Sequence, residues 1–306
     1  MFAVEGREKM KQAARLSIDV GGTFTDVVLE HLGGRDCFKL LTTPDAPEIA
    51  FLQGVGTILE RTDVAAENVD LVIHGTTLAT NALIERKGAQ TALLTTDGFR
   101  DSIEIAYEHR FEQYDLYMER PQPLVTRDWR FSVPERMAAD GSVLLALDEV
   151  AVWSLADDLR ATGVESIAIC FLHSYVNPAH EIRAGEILAQ ALPDITITLS
   201  SDVCPEIREY DRMSTASANA YVQPMMASCL NRLEKGLLEI GITSPLLLMM
   251  SSGGVTTVET AAAQPIRLVE SGPAGGAILA CDIARENDLD RVLSFDMGGT
   301  TAKITL

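Results

Sequence analysis

The chain has 306 residues, 47% of them hydrophobic and 23% charged, which is typical of a globular protein large enough for two domains. Its 25 basic and 44 acidic residues give a net charge of −19, which argues against nucleic acid and anionic membrane surfaces as partners. The five cysteines are odd in number and form no C-x-x-C pair, and no targeting signal or membrane-length apolar run is visible. We therefore expect reduced thiols and a cytoplasmic protein.

The apolar and turn patterns predict alternating strands and helices along the chain. Residues 1–14 are expected to form a loose polar leader ahead of a strand hairpin. The elements predicted after this hairpin are strand 37–41, helix 48–60, strand 71–74, helix 77–87, strand 90–95, helix 149–162, strand 166–171, helix 178–192, strand 196–200, helix 210–236 interrupted at Pro224, and strand 246–250. This alternation indicates a sheet with helices packed on it.

Two similar stretches at opposite ends of the chain are its most informative feature. Residues 16–29 have the sequence LSIDVGGTFTDVVL, and residues 293–306 have LSFDMGGTTAKITL. Each predicts an apolar strand that ends in an acid, a Gly-Gly turn with hydroxyl side chains, and a second strand, which together form a hairpin. One copy alone indicates an ordinary tight turn as readily as a site, but the duplication favours a shared binding role.

The chemistry of these turns suits a nucleotide phosphate. Glycine can adopt positive φ and has no Cβ, so backbone N–H groups can approach an anion closely, and threonine hydroxyls add donors. A carboxylate beside a phosphate is repulsive by itself, so Asp19 and Asp296 are expected to bind a hydrated Mg²⁺ that lies between them and the phosphates. The predicted phosphate-binding residues are Gly21, Gly22, Thr23, Thr25, Gly298, Gly299, Thr300 and Thr301.

Five motifs stand in a characteristic order along the chain. They occupy residues 19–26 (DVGGTFTD), 74–81 (HGTTLATN), 93–101 (LLTTDGFRD), 173–178 (HSYVNP) and 270–276 (ESGPAGG). Together they resemble the hydantoinase A/5-oxoprolinase family, within the actin/Hsp70/sugar-kinase superfamily. The resemblance implies an α/β fold: an actin-like (ribonuclease H-like) ATPase domain with a mixed sheet and flanking helices, plus the opening hairpin of a second such domain. It also implies a hydantoinase/oxoprolinase N-terminal region over residues 15–200 and the start of a hydantoinase A region over residues 201–306.

The activity that this resemblance implies is ATP-dependent hydrolysis of a cyclic amide of the hydantoin or 5-oxoproline type, with ATP and Mg²⁺ as cofactors. The amide oxygen takes the γ-phosphoryl group, and the imidate phosphate is then hydrolysed, often with help from a hydantoinase B-type subunit or C-terminal domain in an oligomer. Relatives use the same activation to carboxylate ketones, so an ATP-dependent ketone carboxylase subunit or a kinase stays open as an alternative. A non-catalytic nucleotide-sensing or subunit-docking half is the third possibility.

The resemblance also suggests catalytic residues. Asp19 and Asp296 fall at the superfamily's metal–phosphate positions, and Glu270 at the position that orients a Mg²⁺-bound water, although a glutamate also suits a helix start. His74 ends an apolar strand just before a helix, where open sheets bind ligands, but it can equally be a satisfied buried histidine.

Two departures from the family pattern stand out. The second hairpin has the sequence TAK over residues 301–303 where the first has FTD over residues 24–26, so Lys303 replaces an acid and could offset phosphate charge. In the superfamily the adenosine-binding motif comes after the second hairpin, whereas the 306 residues end with that hairpin. We therefore expect the 306 residues to be the first part of a longer protein and to be inactive alone.

Overall fold

The computed structural model describes residues 13–107, 112, 114–119, 121–297 and 302–305. These residues form two compact units that alternate along the chain. The first unit contains the described residues up to Thr80, Ser228–Ala261, and the described residues from Arg267 onward. The second contains the described residues of Asn81–Ala227 together with Ala262–Ile266. Each unit has a sheet of its own.

The strands and helices follow the predicted alternation. The strands are β1 (Ala14–Val20), β2 (Phe24–His31), β3 (Gly34–Leu41), β4 (Val69–Thr76), β5 (Thr91–Thr96), β6 (Arg130–Val133), β7 (Arg136–Met137), β8 (Val143–Leu145), β9 (Ser166–Cys170), β10 (Thr196–Leu199), β11 (Leu246–Met249), β12 (Val255–Thr257), β13 (Ser294–Met297) and β14 (Ala302–Thr305). The helices are α1 (Pro47–Thr62), α2 (Leu78–Ile84), α3 (Ser102–Ile105), α4 (Glu149–Arg160), α5 (Ala179–Ala191), α6 (Ser200–Val203), α7 (Glu209–Ile240), α8 (Val258–Ala263) and α9 (Ser271–Glu286).

The first unit is built on a mixed six-stranded sheet in the order β12-β11-β4-β1-β2-β3. β1 pairs antiparallel with β2 and parallel with β4, and β4 pairs parallel with β11. Along β1, Leu16 and Ile18 are buried while Ser17 and Asp19 are exposed, because side chains alternate between the two faces of a strand. α1 packs on the buried face, and burial of its Phe51 contributes about 2–3 kcal/mol. The alternation therefore places Asp19 on the face opposite this core.

The second unit is built on four parallel strands in the order β10-β9-β5-β6. Both β5 and β9 are buried along their whole length. On one face, Leu94 and Ile169 pack into a core with residues of α4 and α5. On the other face, Leu93 and Ala168 pack against the first half of α7. Parallel strands that are covered on both faces give continuous apolar runs, which is why these two strands could be predicted from sequence.

One predicted feature of the fold is wrong. We expected Pro224 to interrupt a helix over residues 210–236, but α7 continues through it from Glu209 to Ile240. Proline removes one backbone hydrogen bond from a helix interior. Its neighbours Val222, Met226 and Leu230 are almost completely buried, so packing offsets that loss.

Two general findings complete the description. Across the described residues, no helix is long and apolar enough to cross a membrane. All five cysteines lie in described segments and are free thiols.

Candidate functional site

The two predicted hairpins form, and they place their acids at equivalent positions. In the first, Asp19 of β1 pairs with Asp26 of β2, one residue before the end of β1. In the second, Asp296 of β13 pairs with Lys303 of β14, again one residue before the strand ends. The predicted phosphate residues Gly298, Gly299, Thr300 and Thr301 lie outside the described residues.

The carboxylate of Asp19 lies directly against the backbone of β4. Asp19 is the register partner of Gly75, and a Cβ placed on Gly75 would be only 2.7 Å from Asp19 Oδ1. Glycine lets the carboxylate lie this close, and a side chain at position 75 would displace it. Sequence reasoning named His74 in this segment and missed Gly75, although a glycine inside a strand is a known sign of close approach.

The surroundings of Asp19 disfavour its negative charge. Asp19 reaches solvent at the sheet surface, but the protein packed around its carboxylate removes part of its hydration, and this desolvation raises the pKa of Asp19 above its ordinary value. The nearby charges of Asp26 and Asp296 raise the pKa further. Lys303 and Lys39 lower the same pKa, by less than these effects combined. This carboxylate cluster, which we define as Asp19, Asp26 and Asp296, thus has an excess of negative charge that a bound cation would relieve.

Glu270 is held at the start of α9 in an unusual backbone conformation. Its φ of 64° lies in the left-handed region, which non-glycine residues rarely adopt. Its N–H donates to Thr80 Oγ1 at 3.1 Å, and the Oγ of the buried Ser271 donates to Thr76 O at 3.5 Å. The Glu270 side chain does not cap the helix; its Oε2 lies 3.6 Å from Lys303 Nζ. The fold therefore brings Glu270 to the second hairpin, and Thr80 is a supporting residue that sequence reasoning missed.

The Gly-Gly turn of the first hairpin is closed by hydrogen bonds within the chain. Gly21 N–H donates to Phe24 O at 2.9 Å, and a Cβ on Gly21 would lie 3.1 Å from the same oxygen. Gly21 and Gly22 are not among the described residues with positive φ, so close approach, rather than an unusual φ, explains the glycine at position 21.

The two threonines of this turn differ in exposure. The Thr25 hydroxyl is fully buried and lies 2.9 Å from Thr42 Oγ1, which itself donates to Gly21 O. Thr23 is exposed at the turn. The structure thus gives Thr25 a role in bracing the turn and leaves the Thr23 hydroxyl accessible to a ligand.

The structure does not bring His74 together with the carboxylate cluster. Its register partner is Ile18, so it projects from the face of the sheet opposite Asp19. It is 3% exposed, its ring meets the edge of Phe51 at 5.0 Å, and burial lowers its pKa to about 4. Nδ1 lies 3.3 Å from Ile18 O and must carry the proton, because a carbonyl only accepts. This geometry favours the buried, neutral histidine over the catalytic one.

A small cavity lies beside His74 within the first unit. Its water-accessible volume is about 10 Å³, close to the minimum that holds one water molecule. Glu48 and Cys229 share its lining with His74, and Glu48 Oε1 accepts from Arg232 Nε at 2.6 Å. Burial raises the pKa of the Cys229 thiol to about 11, so the thiol stays protonated. The cavity is therefore too small and too inert to be a substrate pocket.

Comparison with known proteins places this geometry in context. The family model "Hydantoinase/oxoprolinase N-terminal region" matches residues 15–192, and the model "Hydantoinase/oxoprolinase" matches residues 212–306. Over 304 residues the chain is 38% identical to the caprolactamase subunit alpha of Pseudomonas jessenii, covering 97% of this chain and 44% of that relative.

Two solved structures are similar throughout the chain. The crystal structure of ATP-dependent caprolactamase from Pseudomonas jessenii has a TM-score of 0.85 at 36% identity, covering 95% of this chain and 43% of that one. A nucleotide-free acetone carboxylase structure has a TM-score of 0.86 at 26% identity, covering 96% and 44%. The chain thus spans less than half the length of these relatives, and the likeness confirms the predicted actin-like α/β fold class.

Proposed function

The chain belongs to the hydantoinase/oxoprolinase family, and from that premise we propose that it carries the nucleotide-phosphate site of an ATP-dependent enzyme that hydrolyses a cyclic amide. The observation that supports this most is the placement of Asp19 and Asp296 at equivalent positions of two hairpins, with Glu270 beside the second. Two such acids, each beside a Gly-Gly turn, are what a site needs to bind one polyphosphate between two hairpins. We also propose that residues 15–200 and 201–306 are the functional regions of the chain.

The chemistry follows from the stability of an amide. Resonance makes the ring carbonyl a poor electrophile, and phosphorylation of its oxygen removes that protection. In the proposed reaction the amide oxygen attacks the γ-phosphorus and ADP leaves. Water then adds to the imidate carbon, the ring carbon–nitrogen bond breaks as the nitrogen takes a proton, and an acyl phosphate of the opened amino acid forms. A second water attacks the acyl carbon, the carbon–oxygen bond to the phosphoryl group breaks, and inorganic phosphate and the opened amino acid are released. The protein mainly positions the reactants and balances charge.

The residues of the site fit Mg²⁺ and ATP. Asp19 and Asp296 offer hard carboxylate oxygens. The pKa of Asp19 is raised first by desolvation and then by the like charges of Asp26 and Asp296, and a bound cation would offset both effects. No three acidic, histidine or cysteine side chains of the described segments converge tightly enough to enclose a metal. Mg²⁺ would therefore have to be held by one or two carboxylates together with the nucleotide phosphates. Bound Mg²⁺ supplies positive charge to the transferring phosphoryl group. Thr23 and the backbone around Gly22 are then expected to donate to phosphate oxygens, together with Gly298, Gly299, Thr300 and Thr301.

Ketone carboxylation is the second candidate. The similarity to the acetone carboxylase structure favours it, because that likeness is as high in TM-score as the likeness to caprolactamase. A kinase of the same superfamily and a non-catalytic nucleotide-sensing or docking half remain further alternatives. All share the phosphate site, so the acceptor that consumes the phosphoryl group distinguishes them.

The setting of the enzyme is also part of the proposal. The name of the caprolactamase relative describes a subunit, which supports a partner of the hydantoinase B type, or a further domain, in an oligomer. The free thiols are compatible with a cytoplasmic location.

A substrate panel tests the function. The protein with its partner is incubated with Mg·ATP and, separately, caprolactam, 5-oxoproline, hydantoins, and ketones with bicarbonate, and phosphorus NMR follows the products. Inorganic phosphate that appears only with a cyclic amide supports the amidase. Phosphate that depends on ketone and bicarbonate assigns the carboxylase, and a stable phosphorylated substrate assigns a kinase. No turnover with any substrate favours the sensing or docking role.

A further inference from the structure

Lys303 occupies the position on the second hairpin that Asp26 occupies on the first. Asp26 pairs with Asp19, and Lys303 pairs with Asp296. The charge of Asp26 is neutralised within its own sheet, because Lys39 Nζ of β3 lies 3.0 Å from Asp26 Oδ1. The second hairpin thus brings a cation where the repeat would predict an acid.

The surroundings of Lys303 are those of a counter-ion. Its Nζ lies 3.6 Å from Glu270 Oε2 and 4.0 Å from the Cβ position of Gly272, in the first turn of α9. Its side chain is 25% exposed, against 56% for Lys39. The positive end of a helix dipole disfavours a cation at this place. The ion pair with Glu270 therefore has to offset this unfavourable field at the ammonium group.

We propose that Lys303 is a positioning residue, a built-in counter-cation that makes the site select a metal–nucleotide complex over a free divalent cation. An ammonium group beside Asp296 and Glu270 repels a lone divalent cation that approaches the same oxygens. A metal–nucleotide complex brings phosphate oxygens that Lys303 attracts, so the cation is admitted with its nucleotide. The inference rests on the proposed function, because it takes the carboxylate cluster to be the phosphate site.

The test measures binding without turnover. Electron paramagnetic resonance follows Mn²⁺ binding to the nucleotide-free protein, and calorimetry follows binding of Mg·ATP. Lys303→Ala should tighten Mn²⁺ binding about tenfold, the effect expected from removing one positive charge about 6 Å from a divalent cation in a water-like dielectric. The same variant should weaken Mg·ATP binding about tenfold. Lys303→Arg, which keeps the charge, should preserve both affinities.

A matched control separates local from overall charge. Lys235 is exposed on α7 within the first unit and is not among the charges that shift the pKa of Asp19, so Lys235→Ala removes the same charge and should leave both affinities unchanged. Unaltered Mn²⁺ binding in Lys303→Ala, an equal shift in Lys235→Ala, or no saturable Mn²⁺ site in any variant overturns the inference. Failure of the proposed function is recognised separately: both ligands bind as expected, yet no cyclic amide yields phosphate. Thermal melts monitored by circular dichroism verify that each variant is folded.

Discussion

The contact between Asp19 and Gly75 yields the sharpest prediction. Gly75→Ala places a methyl group 2.7 Å from Asp19 Oδ1, and ordinary contact begins at 3.4 Å, so the carboxylate must retreat by about 0.7 Å. A displacement of about 1 Å in a catalytic constellation can cost roughly 100-fold in rate. We therefore expect kcat to fall about 30- to 100-fold, with little change in the binding of substrate.

The same substitution should leave the fold intact. The displaced atoms are the far end of a side chain that can move. Replacing glycine by alanine also restricts the unfolded chain, which by itself raises the free energy of unfolding by about 0.4–1 kcal/mol. Steady-state release of phosphate measures activity, and a thermal melt measures stability. Gly56→Ala is the matched control, because no atom lies within 4 Å of its Cβ position in α1. Wild-type kcat in Gly75→Ala, or a loss of activity that merely follows a lower Tm, would refute the reasoning.

Three further predictions concern stability. Asp19→Asn should raise the free energy of unfolding at neutral pH, because ionising a carboxyl whose pKa is raised costs stability. This gain in stability should vanish as the pH falls towards the ordinary pKa of 3.8. Urea titrations measure it, and a gain that is independent of pH would contradict this reasoning. Burial lowers the pKa of His74 from 6.5 to about 4 in the folded protein. As the pH drops from 6.5 to about 4, the histidine of the unfolded chain takes up a proton and the buried one does not, so the wild-type free energy of unfolding should fall by roughly 3 kcal/mol. His74→Leu should flatten this part of the pH profile, and an unchanged slope would argue against a buried neutral imidazole. Pro224→Ala should stabilise the protein by roughly 1–3 kcal/mol through the restored hydrogen bond of α7, and a lower Tm would show that the ring itself packs there.

The longer elements could be predicted because their signals lie within a few residues, whereas the short strands β6, β7, β8 and β12 and the short helices α3, α6 and α8 were not predicted. The buried apolar and threonine residues of β5, the apolar run of β9 and the Gly-Gly turn of the first hairpin each specify their own backbone. Lys303 could be recognised as a departure by comparing the two repeats. The continuity of α7 could not be predicted, since it depends on burial on both sides of Pro224.

The site was harder to predict because it depends on pairing between distant strands. Gly75 meets Asp19 only through the parallel register of β1 and β4, and nothing in either segment specifies that register. The same pairing assigns His74 to the face with Ile18, so a position at a strand end was not enough to make it a partner of Asp19. Thr80 reaches Glu270 across 190 positions of sequence, which no local pattern reveals.

Transfer of oxygen from the amide to phosphate is the most direct test of the account. A cyclic amide labelled with ¹⁸O at its carbonyl is turned over with Mg·ATP, and phosphorus NMR detects the label in inorganic phosphate by its isotope shift. Phosphorylation of the amide oxygen predicts that the label appears in phosphate, with release abolished in Asp19→Asn and Asp296→Asn. Label that stays in the carboxylate product, or release that survives both substitutions, would contradict the proposed mechanism or its site.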